Sequence, residues 1–218
     1  NIALIGCGMI GREHIERIQN RIRGAKIVAV CDVFEEGAKK GAEIAGVGTK
    51  VYTDFNEAIN DPDVNAVVVT TPGQFHKGPV LAAIKAGKPV FSEKPLANTA
   101  ADGKEIVEAE MAGGKHLVQV GFMRRYDRGY AEMKRIIDSG ELGAPLMIHA
   151  CHRNVSQPDG FRTEMGVSNV AIHELDIFRW LLGDEYESGQ VLKVRQSACS
   201  TKGYDNPQIV LLETKSGA

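Results

Sequence analysis

Short apolar runs, almost without polar interruption and rich in Val and Ile, recur at Ile2–Ile5, Lys26–Cys31, Ala66–Thr70, Pro89–Phe91 and Leu117–Val120. Runs of that kind read as strands buried on both faces. Between them the apolar positions take a helical spacing, near Ile10–Arg21, Glu35–Ala45, Lys77–Ala86 and Ala100–Met111. In the last helix, Ile106, Val107 and Met111 are expected to share one face beside Ala109. Strands alternating with helices predict a parallel sheet built from right-handed βαβ units, an α/β fold.

The pattern changes near Gly121. A helix over Asp127–Asp138 is expected to stop at Ser139-Gly140, a helix-ending signal. Longer strands are expected at Pro145–Cys151, Gln190–Ser197 and Gln208–Thr214. A polar loop (Asn154–Thr163) and a helix from about Val167 to Leu182 lie between the first two. This texture predicts a second, more antiparallel α+β domain, which divides the chain into residues 1–121 and 122–218. The chain opens at Asn1 inside an apolar run and stops at Lys215-Ser216-Gly217-Ala218, a turn with no strand after it. A fragment is the expectation.

Composition narrows the function classes. The 218 residues carry 26 Lys+Arg against 28 Asp+Glu, a formal net charge of −2. That balance gives no electrostatic reason to bind nucleic acid or anionic lipid. Hydrophobic residues at 43% and charged residues at 25% exclude general disorder. No apolar run approaches the roughly 18 residues of a membrane span. The four cysteines, Cys7, Cys31, Cys151 and Cys199, form no CxxC pair, which argues against zinc or a redox dithiol and for free thiols on buried strands in a reducing cytoplasm.

Gly6-Cys7-Gly8-Met9-Ile10-Gly11 fits G-x-G-x-x-G directly after the first strand and at the start of a helix. Gly6 permits the tight turn, Gly8 lets the backbone approach a pyrophosphate, and Gly11 lets helix and strand pack closely. The helix start, with Met9 and Ile10, offers N–H groups and a partial positive charge to the phosphates. Asp32 follows the second strand, where a carboxylate accepts from both ribose hydroxyls and repels a 2′-phosphate. NAD is therefore expected rather than NADP.

Further motifs carry a resemblance. After the fourth strand come Thr71-Pro72 and His76, then Gly87-Lys88-Pro89-Val90, and after the fifth strand Glu93-Lys94-Pro95. With the glycine motif, this set resembles the glucose-fructose oxidoreductase / inositol dehydrogenase / rhizopine-catabolism family. Gly121-Phe122-Met123-Arg124-Arg125-Tyr126-Asp127, Ile172-His173-Glu174-Leu175-Asp176, Arg179-Trp180-Leu181-Leu182 and Arg195-Gln196-Ser197 look like its inositol 2-dehydrogenase branch. The resemblance covers the whole chain. It implies a Rossmann domain followed by an α+β domain with a large, mostly antiparallel sheet, and family chains longer by about half. That sheet packs against another subunit in the family, so a homotetramer is implied. Val191 with Leu192, Val194 and Ile209–Leu212 agree with a buried sheet face.

Residue by residue, the resemblance implies that Thr71, Pro72, His76 and Glu93 lie at the cofactor and that Lys94, before a cis proline, contacts nicotinamide and substrate. His76 has an equal reading as a structural hydrogen-bonding residue of its loop. Met123 and Arg124 match cleft-lining positions, His152 and Asn154 match polyol-binding positions, and His173 matches the catalytic histidine. The chemistry is coherent: a secondary alcohol that loses hydride needs a base for its proton, which His173 supplies. Lys94 supplies positive charge beside the developing alkoxide.

One position departs from the pattern. Asn169 stands where the family places an acidic residue, four positions before His173. A neutral amide hydrogen-bonds the ring but does not stabilise an imidazolium, which puts rate and substrate in question. Asp176 either compensates or makes a structural pair. No metal site is expected: Ile177 breaks H-E-x-x-H after His173-Glu174, and His149 and His152 are expected on opposite faces of a strand. The reading is an NAD-dependent dehydrogenase of a cyclic polyol such as myo-inositol. The alternatives are a dehydrogenase of another cyclitol or sugar and a non-catalytic NAD-binding sensor.

Overall fold

The computed structural model describes residues 1–157, 160–196, 198 and 203–218. The chain divides into two compact units, Asn1–Gly121 and Phe122–Ala218.

The first unit is a doubly wound sheet. Its six strands are β1 (Ile2–Ile5), β2 (Ile27–Cys31), β3 (Lys50–Tyr52), β4 (Ala66–Val69), β5 (Val90–Ser92) and β6 (Val118–Val120). All neighbours are parallel, in the order β3-β2-β1-β4-β5-β6. Five helices connect them: α1 (Met9–Arg21), α2 (Glu35–Ala45), α3 (Phe55–Asn60), α4 (Lys77–Lys85) and α5 (Ala100–Ala112). Strand order reverses between β1 and β4, and the crevice beyond their carboxyl ends is where such sheets take ligands. Alternate residues of β1 enter different cores. Ala3 and Ile5 pack with Val67, Val69, Val80 and Ile106, whereas Leu4 packs with Ile15, Ile18 and Val68. Burial on both faces explains why these strands read as unbroken apolar runs.

Two elements have no counterpart in the apolar pattern. β3 has three residues, two of them exposed, and α3 has six, begun by Asp54, whose carboxylate accepts from Asn56 N–H at 2.7 Å. A polar cluster secures β3 instead of a hydrophobic face. The Asp61 side chain is almost fully buried and accepts from Lys50 Nζ at 2.7 Å, Tyr52 Oη at 2.5 Å and Asp63 N–H at 2.8 Å. The Lys50 hydrogen bond, then that of Tyr52, lowers the Asp61 pKa to about 2. On α5 the expected face does not hold: Ile106 is buried, but Val107 and Met111 are exposed. At about 100° per residue these two are turned roughly 100° and 140° from Ile106, off a narrow buried stripe.

In the second unit, a 3₁₀ turn at Met123–Tyr126 leads into α6 (Arg128–Ser139). Asp127 caps α6 by accepting from Gly129 and Tyr130 N–H, and left-handed Gly140 ends it at φ 70°. The expected strand at Pro145–Cys151 is not formed. Leu146 and Met147 are exposed there, and among the described residues no neighbouring strand pairs with the segment, so it has no ladder to join. His149 and His152 therefore do not lie on opposite faces of a strand. A π-helical turn at Gly166–Ala171 precedes α7 (Ile172–Leu182), where one continuous α-helix was expected. β7 (Tyr186–Lys193) and β8 (Gln208–Thr214) form a two-stranded antiparallel sheet. β7 begins four residues earlier than expected and ends before Ser197, which with Cys199 lies outside the described residues. Cys7 and Cys31 are buried, but Cys151 is exposed and on no strand. Among the described residues, no helix is long and apolar enough to cross a membrane.

Candidate functional site

In the first unit the three motif glycines occupy different environments. Gly6 has φ +100°, and a Cβ there would lie 2.6 Å from Thr71 N. A Cβ on Gly11 would stand 2.0 Å from Gly6 O. Gly8 is the opposite case, with nothing within 4 Å of its Cβ position. Gly8 is also the N-cap of α1 and makes no side-chain cap, so the helix start and exposed Met9 and Ile10 border open space. That cradle, closed behind and open in front, fits a pyrophosphate.

Asp32 belongs to the same loop. One carboxylate oxygen accepts from Cys7 N–H at 2.8 Å and the other from Phe34 N–H at 3.0 Å. Each oxygen keeps a second lone pair, so the group is fixed and still able to accept from a ribose. Burial, then the Asp32 charge, pushes the Cys7 thiol up to about 12, and the same two causes push Cys31 up to about 12. Both are held as neutral thiols.

The residues just after β4 supply the brace. Thr70 Oγ1 donates to Gly6 O at 2.7 Å, and Thr71 Oγ1 is buried with no hydrogen-bond partner, a polar atom left for a ligand. Pro72 follows and is exposed. His76 is buried, and its ring nitrogens each lie 2.6 Å from a main-chain carbonyl, of Pro95 and of Thr71. Both nitrogens thus face main-chain carbonyls, the placement that the structural reading of His76 expects. The Lys94–Pro95 bond is cis, as the resemblance implies. Glu93 lies 2.9 Å from His14 Nε2, and its other oxygen accepts from Lys94 N–H at 3.3 Å. Burial raises the Glu93 pKa, but the His14 contact and the Lys94 N–H outweigh it and leave it lowered. His14, also edge-on to Phe91, was not singled out in the sequence; its helical spacing from the glycine motif is the signal that would have found it.

In the second unit, His173 is buried in the first turn of α7, and Asn169 lies in the π-helical turn before it. Met123 and Asn154 are exposed. Arg124 Nη1 donates to Glu174 Oε1 at 2.5 Å, with its guanidinium 5.9 Å from the Tyr130 ring centre. His152 Nδ1 lies 3.2 Å from both oxygens of the same Glu174. Two candidate polyol residues thus meet on the carboxylate of Glu174, to which the motif alone gave no site role. Burial raises the Glu174 pKa, but Arg124 and His152 more than offset it and leave it lowered. Asp176 pairs with Arg125 through both oxygens, at 2.8 and 2.5 Å, so the structural-pair reading of Asp176 holds. Among the described residues, no group of three or more His, Cys, Asp or Glu is placed to hold a metal ion.

A parallel sheet of this order, a glycine turn opening onto an uncapped helix and a carboxylate fixed after β2 define a dinucleotide-binding Rossmann fold. The chain belongs to the GFO/IDH/MocA family: residues 1–122 match its oxidoreductase family model with an NAD-binding Rossmann fold, and residues 130–218 match its C-terminal domain. It is similar to inositol 2-dehydrogenase of Azotobacter vinelandii, 52% identical over 217 residues, and to that of Klebsiella pneumoniae, 48% identical over 216 residues. These matches cover 100% and 99% of this chain, which spans 64% of the length of each relative. Among solved structures, myo-inositol dehydrogenase from Lactobacillus casei in complex with NAD(H) and myo-inositol is 41% identical, with a TM-score of 0.94 over 99% of this chain and 64% of that one.

Proposed function

We propose that this chain serves an NAD-dependent oxidoreductase acting on a ring secondary hydroxyl of a cyclic polyol, oxidising myo-inositol to 2-keto-myo-inositol. The likeness to inositol 2-dehydrogenases along the whole chain carries this reading. Residues 1–121 act as the NAD-binding domain and residues 122–218 as the substrate-binding and oligomerisation domain. Gly6 shapes the turn, its N–H already given to Cys31 O at 2.8 Å, Gly11 lets α1 close on that turn, and the helix start at Gly8, Met9 and Ile10 receives the pyrophosphate on main-chain N–H groups. Asp32 takes the ribose hydroxyls, and Thr71, Pro72, Glu93 and Lys94 border the nicotinamide end. NAD, when bound, accepts the hydride.

The chain's residues handle the proton and the charge. The His173 imidazole takes the hydroxyl proton as the C–H electron pair departs. The Lys94 ammonium stabilises negative charge on that oxygen. Asn169 orients the His173 ring without adding charge, and Met123, Arg124, His152 and Asn154 receive the ring and its other hydroxyls. The protein works in the cytoplasm as a homotetramer joined through the β7–β8 sheet, where Val191, Ile209 and Leu211 are exposed.

The test is NADH formation by the purified protein with myo-inositol, scyllo-inositol and glucose in turn. The expected result is a higher kcat/KM for myo-inositol than for the other two. Tight NAD binding without turnover of any polyol would overturn the enzyme reading and favour a sensor. Sedimentation velocity at a monomer mass would overturn the tetramer.

A further inference from the structure

Glu174 sits between two side chains that the proposed reaction uses for substrate. Its side chain is 14% exposed, those of Arg124 and His152 are 19% and 27% exposed, and both point their polar atoms at its carboxylate. A carboxylate only accepts hydrogen bonds. The short Arg124 contact at 2.5 Å is charge-assisted and fixes one edge of the guanidinium. The His152 contact at 3.2 Å to both oxygens places hydrogen on Nδ1, and in the neutral ring this leaves Nε2 as the outward acceptor. Tyr130 lies against the guanidinium face and restricts its rotation. Arg125 and Asp176 make a second pair between the same turn and the same helix, so turn and helix are braced even without Glu174.

We propose that Glu174 is a positioning residue for the polyol subsite, fixing Arg124 as donor and His152 Nε2 as acceptor side by side. This inference rests on the cyclic-polyol reading given above. A donor beside an acceptor suits neighbouring ring hydroxyls, because each hydroxyl both gives and takes a hydrogen bond. The carboxylate acts only through the two side chains it holds and makes no contact with the reacting carbon. Its loss is therefore felt in substrate binding and not in cofactor binding.

The experiment is done on the full chain and has two arms. In the first, 15N chemical shifts of the His152 ring are read in the unsubstituted protein. The neutral ring with hydrogen on Nδ1 alone is expected, and a ring carrying hydrogen on Nε2, whether neutral or doubly protonated, would overturn the proposal whether or not any variant folds. In the second arm, Glu174→Gln is expected to raise KM for myo-inositol about tenfold, the size of one lost charge-assisted hydrogen bond. The kcat is expected to stay within about threefold, with NAD affinity unchanged. Glu174→Asp is expected to recover part of the loss. A lowered melting temperature with unchanged KM would mean that the contact merely staples turn to helix, and would overturn the inference. If the unsubstituted protein turns over no polyol, the parent reading fails, and the ring shifts still decide whether Glu174 fixes His152.

Discussion

Alanine at Gly8 and alanine at Gly11 separate the two tasks of the glycine loop. At Gly8 the added methyl meets nothing within 4 Å, and the backbone there has φ −68°, a value that alanine adopts without strain. Alanine is a poorer N-cap than glycine but restricts the unfolded chain more. These opposing effects leave stability within about 1 kcal/mol, or about 2–4 °C of melting temperature for a chain of this size. At Gly11 the methyl stands 2.0 Å from Gly6 O, where ordinary contact starts at 3.4 Å. The first turn of α1 must therefore retreat by about 1.4 Å, at a cost of about 1–3 kcal/mol for overpacking.

Gly8→Ala is thus expected to melt like the parent protein while NAD binding weakens about tenfold to a hundredfold, because the methyl fills the open cradle. Gly11→Ala is expected to lose both affinity and several degrees of melting temperature. Calorimetric titration with NAD beside a thermal melt reads both quantities. Parent-like NAD affinity in Gly8→Ala would refute the idea that the open face receives the pyrophosphate. Parent-like melting of Gly11→Ala would refute the packing argument.

Three further outcomes are expected. Asp32→Ala frees two backbone N–H groups, worth about 1 kcal/mol each, and removes the repulsion of a 2′-phosphate; binding titrations should show the preference for NAD over NADP falling at least about tenfold. The lowered Asp61 pKa, about 2 against about 3.9 unfolded, gives stability that is complete above about pH 4 and lost as pH falls toward 2. Urea unfolding at stepped acid pH should therefore show a shallower acid loss in Asp61→Asn, and identical slopes would count against the network. Buried Cys7 and Cys31, pushed up to about 12, should resist alkylation at mildly alkaline pH while exposed Cys151 reacts; peptide mass spectrometry distinguishes them, and equal labelling would contradict the burial argument.

β1, β2, β4 and β5 were readable because both faces are covered, and half-buried β6 because its valines flank an exposed Gln119; all five show as runs within a residue or two of their observed ends. β3 and α3 escaped because a polar cluster on Asp61 and a cap from Asp54 hold them, neither of which leaves an apolar period. The opposite error occurred at residues 145–151, where an apolar run has side chains suited to a strand but lacks a neighbouring strand among the described residues. A strand is defined by its partner, and periodicity carries no information about partners. At the candidate site, the glycines and Asp32 were readable because a backbone turn and a sheet edge fix their spacing. Glu174 was not, because its meaning comes from Arg124 and His152, 50 and 22 residues away. His76 shows the same limit, since only the fold reveals that its two nitrogens are already engaged.

The hydroxyl of Thr70 that grips Gly6 O lies 64 residues along the chain from its target. The glycine motif therefore leaves the ribosome long before its brace does. The stretch from β1 to the residue after β2 holds the whole motif and Asp32, yet the loop's outline also depends on β4 beside β1, where Thr70 N–H reaches Ile5 O. A nascent chain stopped before residue 66 thus carries the whole glycine motif without the strand and the hydroxyl that hold its outline.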